Sequence, residues 1–443
     1  MRSVDPQRRQ EIRNLALPIL GGMASQNLLN LVDTWMVGGL GPDALAATGL
    51  AGFLNFIAVA FITGFSPAVQ AIAARRIGEG KANEAAASLN GGLLLSLLIG
   101  LPLSVLLILA TPAIFGAMVE DPGVVAEGVP YLQWRLVAVV AVGMNFSFRG
   151  YWSAAKLSGF YLRTLLTMHI LNVIFSYTLI HGLFGLPEMG TSGAGLGTTL
   201  AIFVGTAQYY VLGFRHARTQ GFLERRPSPD QFRSLLRLGL PSSIQQLLFA
   251  GGFATLFWII GRVGTAELAV ANVLTNITLT AILPGIALGI AAATLSAQAL
   301  GRGDTDDAYR WSWDVFRVGA WIFGVLALAM LFATRPILTL FLRDPALVEI
   351  GVIPLRMIGA SILLDGLGLI MMQGLLGVGA SRLVMLVATG LQWGLFLPLA
   401  WLLGPVLGLG LTPIWLAMGG YRLLQAGIFI VAWQRRDWQH HTV

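Results

Sequence analysis

Asp33 lies inside a long apolar stretch, with the surroundings LNLVDTWMVG. A carboxylate at membrane depth costs roughly 2.5–3.5 kcal/mol, so it faces a bundle interior or an aqueous cavity, and it often handles ions. Gln26, Asn27 and Asn30 precede it, and at helical spacing Gln26, Asn30 and Asp33 share one face. Pro18, Gly21 and Gly22 lie more than two turns earlier, where a helix loses a hydrogen bond and stiffness and can bend. A bendable helix carrying a titratable group is the outline of a switch that takes up and releases a proton. Asn172 is placed to add an amide to the same cavity, with His169 about one turn before it. His169 reads either as a cavity residue or as the satisfied interhelical contact that a lone intramembrane histidine more often is. Asp365 is the second carboxylate inside an apolar stretch, and ion handling and structural hydrogen bonding both remain open for it.

Other chemistries find no support. The chain has no cysteine, which removes disulfides, thiolate metal sites and cysteine nucleophiles. It has no phosphate-binding G-x-x-x-x-G-K-[ST] loop and no H-E-x-x-H pair, and its five histidines do not assemble with serine and aspartate into a hydrolytic set. Neither an enzyme nor a metal centre is expected, and no cofactor is implied. The net charge of +7 raises nucleic acid as a partner, but the arginines sit in short loops and not along a basic stripe.

The elements that must position these residues are read from composition. Hydrophobic residues make up 56% of the chain and charged residues 11%, against roughly 25% charged in soluble domains. Residues 91–114 carry no charge at all, longer than the ~20 residues that cross about 30 Å of hydrocarbon. Spans are expected at roughly 14–39, 45–73, 86–117, 129–154, 161–182, 193–213, 233–261, 268–299, 312–341, 350–378, 382–403 and 411–433. The first of these is too long for a cleavable signal peptide and contains Asp33. Loops on the N-terminal side hold Arg75, Arg76, Lys81, Lys156, Arg163, Arg215, Arg218, Arg225, Arg226, Arg302, Arg310 and Arg382, whereas the opposite loops hold Arg262, Arg335 and Arg343. The positive-inside bias puts both termini in the cytoplasm. Arg149, near the end of the fourth span, is expected to snorkel to the interface.

The chain also repeats itself. At an offset of 223 residues Pro18 falls on Pro241, Gly41 on Gly264, Leu45 on Leu268, Ala74 on Ala297 and Gly80 on Gly303. The fold expected is all-α and polytopic, with two six-helix lobes at 1–220 and 221–443. An even number of spans per lobe makes the repeats parallel, related by an axis along the membrane normal.

Several stretches resemble one transporter family. Leu31-Val32-Asp33-Thr34-Trp35-Met36-Val37-Gly38, followed by Gly39-Leu40-Gly41, is similar to the first-helix signature of the multidrug and toxic compound extrusion (MATE) family. So are Ala73-Ala74-Arg75-Arg76-Ile77-Gly78-Glu79-Gly80, Leu171-Asn172, the glycine-rich opening of the sixth span at Gly193 to Thr198, and Gly374 to Gly379. The resemblance covers essentially the whole chain. It implies a twelve-helix exporter that exchanges protons or sodium for bulky, often cationic, organic compounds. It also implies a first-lobe ion site at Asp33, Asn172 and Thr198, and a second-lobe acidic residue at Asp365.

Two departures matter. Where many relatives have an aspartate four residues after the fifth-span asparagine, this chain has Ser176, and Phe249 stands near the seventh-span glutamate of the NorM-like branch. The chain resembles the DinF-like branch more closely. One carboxylate suits a single proton better than a cation cage, although the Ser176 hydroxyl with Asp33 leaves sodium open. The expected protein is therefore an ion-coupled exporter of small organic molecules in a bacterial inner membrane, a monomer with the lipid bilayer as its solvent. A flippase for lipid-linked precursors and a non-transporting membrane scaffold are the alternatives.

Overall fold

The computed structural model describes residues 4–224 and 227–441; Arg225 and Arg226, counted above among the cytoplasmic charges, lie outside the described residues. Helices account for the architecture, and there is no strand among the described residues. In hydrocarbon, backbone amides and carbonyls have no water to bond to, so the chain satisfies them within helices.

The first half runs α1 (Pro6–Gly38), α2 (Pro42–Thr63), α3 (Ser66–Gly78), α4 (Ala86–Met118), α5 (Pro122–Val137), α6 (Val139–Ala154), α7 (Ser158–His181) and α8 (Gly190–His216). The second runs α9 (Pro229–Gly261), α10 (Thr265–Ala281), α11 (Leu283–Gly301), α12 (Thr305–Phe332), α13 (Thr334–Thr339), α14 (Pro345–Gly377), α15 (Ser381–Leu391), α16 (Leu397–Trp401) and α17 (Leu411–Arg435). Ten of the expected spans are single helical stretches long and apolar enough to cross a bilayer. The fourth span is α5 and α6 with a bend of 45° between them. The sixth, α8, is 27 residues long but opens GTSGAGLGTT, too polar to pass as an apolar span by itself.

The breaks have local causes. The second and eighth spans each restart on a proline, Pro67 at the start of α3 and Pro284 at the start of α11, where its missing N–H is an orphan donor in any case. The α5–α6 break has no proline. Its freed carbonyls are taken instead by hydroxyls, Thr199 Oγ1 donating to Trp134 O at 2.7 Å and Ser104 Oγ to Leu136 O at 2.8 Å. The eleventh span contains two π-helical turns, Gln392–Phe396 and Leu402–Val406, beside Pro398 and Pro405.

Residues Leu17–Gln246 form one compact unit, and Met1–Ala16 with Leu247–Val443 form the other. The division expected at 220/221 falls in the connecting segment. The compact units instead change over inside two helices, near Pro18 in α1 and Pro241 in α9.

In the unit of residues 17–246 the helices that carry the site are brought close by missing side chains. Gly193 and Gly197 lie one turn apart on α8. A Cβ at Gly193 would fall 2.7 Å from Leu179 O, and one at Gly197 would fall 2.5 Å from Ser176 N. Small residues at such spacing let helix backbones approach without a side chain between them. Gly22 does the same for α1, where a Cβ would fall 2.5 Å from Tyr161 Cε1 of α7.

Candidate functional site

The carboxylate and the amide expected to share a site do meet. Asn172 Nδ2 on α7 donates to Asp33 Oδ2 on α1 at 3.4 Å. On its other side, Asn172 Oδ1 accepts from Ser176 Oγ at 2.7 Å and from Thr198 Oγ1 at 3.5 Å. Thr198 Oγ1 donates more closely to Ala194 O, at 3.0 Å, so it is chiefly the Ser176 hydroxyl that sets how the amide lies. With Oδ1 turned toward that hydroxyl, only the N–H end can face the carboxylate. Asn172, Ser176 and Thr198 are buried and Asp33 is half-buried. The Gly193–Gly197 contact explains why Thr198, the next residue on α8, reaches an amide on α7.

A second rung joins the same two helices one level away. His169 and Gln26 meet through Nε2 and Oε1 at 3.1 Å, and Gln26 Nε2 donates to Asn30 Oδ1 at 3.2 Å. Gln26 and Asn30 are exposed. Exposed amides on a membrane helix read as facing water and not acyl chains. His169 bonds across to α1, and its second nitrogen, Nδ1, is buried and unbonded. Asp33 Oδ1 is likewise buried and accepts no hydrogen bond.

Asp365 has a different setting, in the unit of residues 247–443. It forms a bidentate pair with Arg422 of α17: Nε lies 3.2 Å from both carboxylate oxygens and Nη2 lies 2.6 Å from Oδ2. The two side chains are 14% and 15% exposed. Arg422 also lines a narrow cavity of about 10 Å³ with Thr278, Gln392 and Tyr421, room for about one water. Gln392 enters it from a π-helical turn and lies against Gly252 of α9, where its amide donates to Phe249 O at 3.5 Å.

The MatE family profile matches residues 18–178 and again residues 241–402. The chain belongs to the MATE family. The two matches begin at the offset of 223 residues on which Pro18 and Pro241 coincide, so the internal repeat and the family are one observation. A probable multidrug resistance protein NorM from Bradyrhizobium diazoefficiens is 29% identical over 438 residues, 95% of this chain and 92% of that protein. Its namesake from Agrobacterium fabrum is 29% identical over 421 residues, 90% of this chain and 88% of that protein. An outward-facing MATE transporter of the MOP superfamily has the same fold, with a TM-score of 0.87 at 22% identity over 98% of this chain and 97% of that one.

Within this MATE protein three charged residues at span depth escaped the reading of the sequence. Arg135 stands in the last turn of α5, its Nη1 donating to Tyr131 Oη at 3.1 Å, and its charge acts on Asp33. Arg422 is the counter-ion of Asp365. Arg356 of α14 reaches Thr334 Oγ1 with Nε at 3.4 Å. The cost argument that singled out the two aspartates applies equally to arginines inside spans, and applying it would have found all three. Arg149 does not snorkel outward: its guanidinium is hydrogen-bonded to Tyr161 of α7 and lies 4.4 Å over Phe146. A phenol and a ring supplied by the bundle remove the need to reach water. Asn272 and Asn276 bond to each other along α10 at 2.7 Å.

Proposed function

We propose that this MATE protein is a proton-coupled antiporter that exports small, bulky, often cationic organic compounds across a bacterial inner membrane, with both termini in the cytoplasm. The reading rests on the Asp33 network: a single carboxylate faced by an amide N–H whose oxygen is held away by Ser176. Hard cations such as sodium need several oxygen ligands, and an N–H facing the carboxylate offers none. A proton needs only the carboxylate. The names of the Bradyrhizobium and Agrobacterium relatives support drug-like cargo. Ser176 and Phe249, at the two positions where the family resemblance implies further carboxylates, support a place nearer the DinF-like branch.

In this scheme ionised Asp33 coexists with a cationic substrate. Asp33 stands five residues before the end of α1, at the end away from the N-terminus, which suits proton entry from the periplasm. Protonation removes the charge that Asn172 bonds to. The α1–α7 rungs rearrange, α1 bends in the Pro18–Gly22 region, and the substrate leaves outward. Release of the proton toward the cytoplasm resets the site. Two states with different affinities for proton and substrate are sufficient for exchange. Asp365, held by Arg422, serves as a structural counter-ion.

The test is efflux of a fluorescent cationic dye from proteoliposomes under an imposed proton or sodium gradient, comparing the native protein with Asp33→Asn. Transport that follows the proton gradient and is lost in the variant supports the proposal. Dye movement driven by sodium alone overturns the choice of ion. Absence of movement under both gradients overturns drug export and favours a lipid-linked cargo.

A further inference from the structure

Arg135 has no part in that scheme. It is three residues before the α5–α6 break, at a depth where an unpaired guanidinium is as costly as a carboxylate. It has no carboxylate ion pair among the described residues, and its hydrogen bond goes to Tyr131 one turn back. Three contacts nevertheless bring this turn to the Asp33 cluster. Thr199, adjoining Thr198, donates to Trp134 O at 2.7 Å, and Trp134 Nε1 donates to Ser192 Oγ at 3.1 Å. Gly195 lies so close to α5 that a Cβ there would be 2.7 Å from Tyr131 O. The α8 stretch that supplies Thr198 to Asn172 is therefore the same stretch that seats Arg135. Across the cluster, Asp33 Oδ1 is buried and open. The other titratable groups beside the cluster are Tyr131, which accepts from Arg135, and His169, which contacts Gln26 of α1.

We propose that Arg135 is the ion-selectivity residue of the coupling site: its guanidinium is the resident counter-ion of ionised Asp33, and a proton competes with it where an alkali cation cannot. The inference rests on the proton-antiport reading and extends it. A sodium ion approaching Asp33 meets the like charge of Arg135 as well as the N–H of Asn172. A proton neutralises the carboxylate and needs no coordination shell. Neutralisation also leaves Arg135 without its counter-charge, so the site turns net positive and opposes a cationic substrate nearby. One arginine thus makes the proton and the cationic cargo mutually exclusive, which exchange requires.

The experiment measures modification of Asp33 by a carbodiimide that attacks protonated carboxyl groups. It is followed by mass spectrometry on the purified full-length protein, with sodium or choline chloride at about 100 mM. In the native protein sodium should leave the labelling rate within about twofold of the choline value. In Arg135→Gln, which keeps a donor for Tyr131 but loses the charge, sodium should slow labelling by roughly tenfold. Tenfold corresponds to about 1.4 kcal/mol, the order of interaction that one unit charge supplies at an effective dielectric of about 20. Arg135→Lys should restore insensitivity to sodium. Sodium protection in the native protein, or none in a monodisperse Arg135→Gln, overturns the role of Arg135. If Arg135→Gln does not fold, the native protein and Arg135→Lys still decide, since sodium protection in either overturns it. Asp33→Asn dye efflux, run in parallel, separates the two layers: a variant that still transports defeats the antiport reading itself. A dead Asp33→Asn with a sodium-insensitive Arg135→Gln defeats only the selectivity role.

Discussion

Replacing Arg422 by leucine should destabilise the protein by about 3–5 kcal/mol, because it strands a buried carboxylate. The size follows from the geometry. The pair is bidentate, with its shortest contact at 2.6 Å, and the side chains are only 14% and 15% exposed, so water screens little of the interaction. Removing one partner of a buried pair costs about 3–5 kcal/mol, whereas replacing both by apolar residues of similar volume is often neutral. Arg422→Leu with Asp365→Leu should therefore recover most of the loss, so the coupling in a double-mutant cycle should be at least as large as the about 3–5 kcal/mol lost in Arg422→Leu alone. Heating detergent-solubilised protein and measuring the fraction that stays monodisperse reads the stability. Dye efflux on the same four proteins reads the function, and the double variant should transport. Should Asp365→Leu keep full stability yet abolish transport, with the double variant equally dead, Asp365 would be an ion-coupling carboxylate and the structural assignment would be refuted.

Two further substitutions separate packing from coupling. Gly197→Ala sets a Cβ 2.5 Å from Ser176 N; it should cost about 1–3 kcal/mol and, by pushing α8 off α7, impair proton-driven efflux beyond the loss of folded protein. Gly377→Ala sets a Cβ 2.5 Å from Ala293 O, between α14 and α11; it should lower stability by a similar amount while the transport rate per folded molecule stays unchanged. Arg8 pairs with Asp307 at 2.5 Å and Asp314 at 2.8 Å and lies 3.6 Å over the Trp311 ring, but it is 23% exposed. Arg8→Ala should accordingly cost no more than about 1 kcal/mol, with a loss that shrinks in high salt, as thermal stability at two ionic strengths would report.

Much of the architecture was legible because the bilayer acts on composition alone. Any stretch such as residues 91–114 must cross, whatever its neighbours, and the internal repeat follows from an offset that needs no coordinates. The candidate site was legible in part. Gln26, Asn30 and Asp33 share a face by helical period, but that period says nothing about which other helix they meet. The breaks were harder to see. The α5–α6 bend has no proline, and it depends on Ser104 and Thr199 arriving from other helices to take its carbonyls. The two π-helical turns of the eleventh span also left no mark in the apolar pattern.

The sequence by itself determined that this chain is a polytopic helical membrane protein of two parallel repeats, because transfer to hydrocarbon is a property of each segment taken alone. It also determined that Asp33 needs company, since a carboxylate in an apolar helix has a cost that some partner must offset. Only the tertiary structure decided who those partners are. Asn172 turns its N–H toward Asp33 because the Ser176 hydroxyl claims its oxygen, and a glycine contact brings Thr198 of α8 alongside. Asp365 is neutralised because α17 presents Arg422 to it. The turn that carries Arg135 is held against the α8 stretch of Thr198 because Thr199 takes a carbonyl at the end of α5. Hydrogen bonds and ion pairs depend on distance and direction between segments far apart in the chain, and these exist only once the helices have packed.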